Sequence, residues 1–176
     1  MSTIVPGNDG EPKEYTVNLL TVNLLFSTLV FWIGARLYVL PHLHELSFRR
    51  IMLPILILHA LRHLGLMFLA PGGVYSGMPA AFAYPAAFGD LLAAVLAIAA
   101  IPAVAKEASS ARAFVWLFNL VGSLDLVMAI ILATSNGAAP FMGPAYWIPA
   151  FWVPALLVTH YITFVVLLNR RPQVAA

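Results

Sequence analysis

The stretch "IMLPILILHALRHLGLMFLA", residues 51–70, decides the fold class. Twenty residues run almost without a break in apolar side chains. A helix of that length rises about 30 Å, the thickness of a bilayer's hydrocarbon core. The run is bounded by polar "HLHELSFRR" (42–50) before it and "PGG" (71–73) after it. It also carries His59, Arg62 and His63, whose spacing of three and four residues places all three on one face of an α-helix.

Four more windows of this kind flank it. The expected spans are Thr16–Leu40, Ile51–Ala70, Pro79–Ala105, Arg112–Thr134 and Tyr146–Asn169. Of the 176 residues, 62% are hydrophobic and 9% charged, and the mean hydropathy is +0.92. Soluble domains carry roughly 25% charged residues, so this chain cannot cover itself in water and needs lipid as its solvent. The expected fold is an all-α polytopic bundle of five transmembrane helices. Residues 1–14 read as a polar N-terminal tail, 15–171 as the five-span domain and 172–176 as a C-terminal tail. "GNDGEPKEY" (7–15) is acidic and polar, unlike the basic opening of a signal peptide.

Lysine and arginine near the span ends set the expected orientation. One side holds Arg36, Arg49, Arg50, Lys106, Arg112, Arg170 and Arg171. The other holds only Lys13, beside Asp9, Glu11 and Glu14. The N-terminus is therefore expected outside and the C-terminus in the cytoplasm. The chain has no cysteine, which excludes disulfides, thiolate metal sites, Fe–S clusters and cysteine nucleophiles. No basic run points to nucleic acid. The duplications "TVNLL" (16–25) and "PAAF" (79–82, 85–88) are local, and no half-to-half symmetry is visible. Pro54 and Pro149 read as first-turn prolines, and Pro85, Pro102 and Pro154 as deeper, kinking ones.

Counted at 1.5 Å per residue from the basic side, Asn119 lies roughly 10 Å deep, His59 about 12 Å and His160 about 14 Å. Arg62 and His63 follow at roughly 16–18 Å, and Asp90 and Asp125 at about 20–22 Å. Small residues Ala83, Ala86, Ala87, Ala94 and Ala97 share a face of the third span with Asp90, which turns that carboxylate into the bundle. A charged side chain at a helix centre costs about 2.5–3.5 kcal/mol on the mildest scale, so Arg62 is expected to pair with Asp90, Asp125 or both. One positive charge then faces two carboxylates. A proton on one aspartate, a protonated histidine such as His63, or a bound cation would close the difference.

Three functions compete. The first is binding and translocation of a proton, ion or small solute at Arg62, His63, Asp90, Asp125 and Asn119, with histidines as relays. The second is a b-type haem subunit for electron transfer, ligated by His59 and His160 at matching depth. The third is a metal-dependent intramembrane enzyme using His59, His63 and His160. A homo-oligomer would supply the symmetry that one chain lacks. "HLHEL" (42–46) reads as a solvated loop rather than a metal site, and Asn18 and Asn23 as structural groups near the outer end of span one.

"FAYPAAFGD" (82–90), "WLFNLVGSLDLV" (116–127) and "IPAFWVPALLVTHYI" (148–162) together resemble a family of small multi-pass integral membrane proteins found in bacterial genomes. The resemblance implies a bacterial inner-membrane protein and carries no activity.

Overall fold

The computed structural model describes residues 3–6, 12–15 and 19–169. Five helices in it are long and apolar enough to cross a membrane: Leu19–His42, Phe48–Phe68, Ala80–Ala105, Ala111–Ser135 and Gly143–Leu168. Each end falls within three residues of its expected position. The start of span one at Thr16, Asn18, Arg170, Arg171 and the 172–176 tail lie outside the described residues. Two short strands precede the bundle: β1 (Thr3–Pro6) and β2 (Pro12–Tyr15) pair antiparallel, with Thr3 opposite Tyr15. A tail was expected there. Four-residue strands are too short for periodicity to reveal.

The regular α-helical cores are α1 (Leu19–Gly34), α2 (Phe48–Ala60), α3 (Ala80–Ala105), α4 (Ala111–Ser135) and α5 (Val153–Leu168). Three spans depart from α geometry, two of them beside a proline. Before Pro41, residues Ala35–Val39 form a π turn, and before Pro154, residues Ile148–Trp152 form another. Proline offers no amide hydrogen, and a wide turn absorbs the missing bond. Pro154 thus begins α5 instead of kinking it. Pro54 differs in the opposite sense. Ser47 caps α2 by accepting a hydrogen bond from the Arg50 amide at 3.3 Å, so the helix starts at Phe48 and Pro54 lies in its interior.

The third departure shapes the site. After Ala60 the second span tightens into a 3₁₀-helix, Leu61–Phe68. Burial follows the winding. In α2 the buried residues are Ile51, Met52, Ile55, Leu56 and His59, spaced as 3.6 residues per turn requires. In the next segment they are Arg62, Gly65 and Phe68, spaced at three.

Two apolar clusters fill the bundle. One, at the end bearing Arg49 and Lys106, gathers Met52, Leu56, Ala97, Val104, Val115, Phe118 and Ile162. The other, toward the opposite end, gathers Phe68, Phe82, Ala86, Leu126, Met142, Ile148 and Leu156. Along spans two to four His59, Arg62, Asp90, Asn119 and Asp125 fall between the two clusters, while His160 of span five stands among residues of the first. The small face of α3 is buried throughout, from Ala83 to Ala100, which lets neighbouring backbones come close. Span one packs chiefly on span five and leaves most of its apolar surface facing outward.

Candidate functional site: a buried polar layer around Arg62

Arg62 is the largest fully buried side chain of the described residues. The three-residue winding aims it along the His59 face and into the bundle. There its guanidinium meets three other spans. Nε donates to Asp90 Oδ1 at 2.7 Å, Nη2 donates to Asp125 Oδ2, and Nη1 donates to the Gly122 carbonyl at 3.1 Å. Nη1 also lies 3.3 Å from His160 Nε2. Both expected aspartates are therefore paired with the same arginine. Planar, forked donors suit this task in a way that a lysine ammonium does not.

The histidines are neutral by their partners. His160 Nε2 accepts from Arg62, so Nδ1 carries the hydrogen and donates it to Asn119 Oδ1 at 2.7 Å. The Thr159 hydroxyl gives its hydrogen to the Ala155 and Leu156 carbonyls, both at 3.0 Å. It therefore accepts from His59 Nε2, 2.9 Å away. His59 Nδ1 is left as a buried acceptor without a partner, and Asn119 Nδ2 as a buried donor without one. The rings of His59, His160 and Phe118 pack together, the two imidazoles with centroids 4.3 Å apart.

Three glycines, absent from the sequence expectations, make this layer possible. A Cβ on Gly65 would collide with the Asp90 carboxylate, and one on Gly89 with the Asp125 carboxylate. A Cβ on Gly122 would stand 2.7 Å from His160 Cε1 and 2.9 Å from Arg62 Nη1. Gly65 and Gly89 each leave the volume of one carboxylate, and Gly122 leaves that of two side chains, His160 and Arg62. The sequence signal was present in "FGD" (88–90) and "VGS" (121–123), where a glycine interrupts an apolar helix beside a polar residue.

Several expectations are corrected. His63 is exposed and its Nδ1 lies 3.0 Å from the Ala60 carbonyl, outside the layer. In an α-helix it would share the face of His59, but the tighter winding turns it aside. Without His63 the metal set His59, His63 and His160 does not assemble. No group of three His, Asp or Glu residues able to hold a metal ion occurs among the described residues. The haem reading fails on fit: the imidazoles of His59 and His160 contact each other, leaving no gap for a macrocycle. Both Nε2 atoms are also already engaged, by Thr159 and Arg62. Asn23 donates to the Tyr146 hydroxyl at 2.9 Å and joins spans one and five, far from the layer.

The profile of one family covers residues 19–168, all five spans and every residue of this layer. The chain belongs to the family described as Domain of unknown function (DUF8737). In this family member the matched region begins and ends with the helical bundle. No curated protein and no solved structure matches the chain.

Proposed function

We propose that this chain is a proton-binding and proton-translocating membrane protein, with Asp90, Asp125 and Arg62 as its central site. The observation that carries the reading is the pairing of two carboxylates with one guanidinium inside the bundle. Fully ionised, the trio has one negative charge too many, and an uncompensated charge at this depth is costly. The missing positive charge does not come from histidine. Protonating His160 would turn its Nε2 against Arg62, and His59 Nδ1 has no acceptor to receive a second hydrogen. A metal cation would have to sit beside the guanidinium that already holds both carboxylates, against its repulsion. A proton on one of the two aspartates closes the charge without new volume. A small solute is disfavoured because Arg62 spends its contacts on the protein itself.

His160, Asn119 and His59 continue the layer away from the carboxylates as neutral groups that hold Arg62 and the ring cluster in place. The basic end, with Arg36, Arg49, Arg50, Lys106 and Arg112, faces the cytoplasm in this reading, and the membrane is a bacterial inner membrane. The test is proton flux into liposomes holding the purified protein, driven by a potassium-diffusion potential and read with an entrapped pH dye. Flux is expected for the natural chain and its loss for Asp90→Asn and Asp125→Asn that elute as folded protein. Equal flux in all three, or none beyond empty liposomes, would overturn the reading.

A further inference from the structure

We infer that Asp125 is the carboxyl of the trio that carries the proton and can be reached from lipid, at the seam between α3 and α4, which makes it a modification site for hydrophobic carbodiimides. The inference rests on the proton reading above and adds which of the two carboxyls is the reactive one.

The apolar clusters built on Met52, Leu56 and Phe118 and on Phe68, Leu126 and Met142 cover the layer from both ends. Beyond the second cluster the loops are clasped by backbone bonds from Tyr75 to Phe141 and from Ala145 to Gly73, both 2.9 Å. Within the layer, exposure is confined almost wholly to the carboxylates. The Arg62 side chain is 0% exposed, and those of Asp90 and Asp125 are 11% and 14%. His59 and Asn119 are fully buried.

The two carboxylates differ in what they lie against. Asp90 lies under Gly65, which is buried, so it faces the second span. Asp125 Oδ1 lies over Gly89, which is only partly buried. On either side of that seam stand Phe88, 55% exposed, and Leu124, 70% exposed, both in the position of lipid-facing residues. Oδ2 of Asp125 accepts from Arg62, which leaves Oδ1 as the oxygen that carries the proton at the seam.

A protonated carboxyl in an apolar medium adds across a carbodiimide. Its oxygen bonds the central carbon, its proton moves to one nitrogen, and the resulting O-acylisourea rearranges to a stable N-acylurea by transfer of the acyl group to nitrogen. A carboxylate locked in an ion pair does not begin this reaction, so the reagent reports a group that is both protonated and reachable from lipid.

The experiment treats the natural protein in lipid nanodiscs with dicyclohexylcarbodiimide and maps the adduct by peptide mass spectrometry. The infrared carboxylic-acid C=O stretch is recorded on the same untreated sample. The expected result is a C=O band and a mass gain of one reagent on the peptide holding Asp125, absent in Asp125→Asn. Site mapping on the natural protein suffices if that variant does not fold. An adduct on Asp90, or a C=O band with no adduct, overturns the assignment to Asp125 while the proton reading stands. No band and no adduct overturns both.

Discussion

The carboxylate of Asp125 occupies the space above Gly89 that the Cβ of any other residue would fill. The same relation holds between Asp90 and Gly65, and between the Arg62–His160 pair and Gly122. The polar layer is thus cut to size by the residues that have no side chains. Its stability and its chemistry should respond to substitutions that change no charge.

Gly122→Ala tests this directly. The new methyl would press on both His160 and Arg62, and overpacking of this kind costs about 1–3 kcal/mol. Gly34→Ala, where nothing lies within 4 Å of the added Cβ, is the matched control and should leave stability unchanged or slightly raised. Thermal unfolding in one detergent, monitored by circular dichroism, compares the two. Equal midpoints would show that the layer yields to make room.

Arg62→Met should destabilise by about 3–5 kcal/mol, because it strands two buried carboxylates. The triple variant Arg62→Met, Asp90→Leu, Asp125→Leu removes every charge of the trio and should recover most of that loss. It should remain without proton flux. Recovery of both stability and flux would assign the trio a purely structural role. Unfolding midpoints and the liposome assay together read this.

The hydrogen-bond pattern fixes opposite tautomers on the two buried histidines. Solid-state ¹⁵N spectra should show His160 protonated at Nδ1 and His59 at Nε2, each as a neutral ring. Asn119→Leu should alter the His160 signals through its lost partner, and Thr159→Val those of His59. Two identical tautomers would contradict these hydrogen-bond partners.

Arg112 offers a test outside the layer. Its Nη2 donates to the Leu167 carbonyl at 2.9 Å, at the C-terminal end of α5, while its guanidinium lies 5.3 Å from the centre of the Phe48 ring. Arg112→Gln should cost about 1 kcal/mol through loss of the charge at a helix C-terminus and of the ring contact. Unfolding midpoints should fall while proton flux per folded molecule stays level.

Much of this was legible in the residues. Five long apolar runs gave the spans, and the alanine face carrying Asp90 pointed that carboxylate at the bundle. Depth counting brought Arg62 near Asp90 and Asp125, since the cost of a lone charge in lipid leaves pairing as the simplest outcome. What stayed hidden was rotation. Equal depth made His59 and His160 look like haem ligands, but depth says nothing of direction, and the rings turn out to touch. His63 departs from its expected face for a related reason: 3.6 residues per turn does not hold through a segment that winds at three. The buried trio Arg62, Gly65 and Phe68 was in the sequence at the right spacing, but apolar neighbours on all sides masked it.

The tighter winding also acts as a ruler. A 3₁₀ segment climbs about 2.0 Å per residue against 1.5 Å for an α-helix, so the eight residues Leu61–Phe68 add roughly 4 Å of reach. Span two has the fewest residues of the five, 21, and this stretch brings it to about 35 Å, close to its longer neighbours. A change that relaxed the segment to ordinary α geometry would therefore shorten and rotate it at once. The guanidinium would withdraw from its anions as the span contracted, coupling membrane thickness to the state of the ion trio.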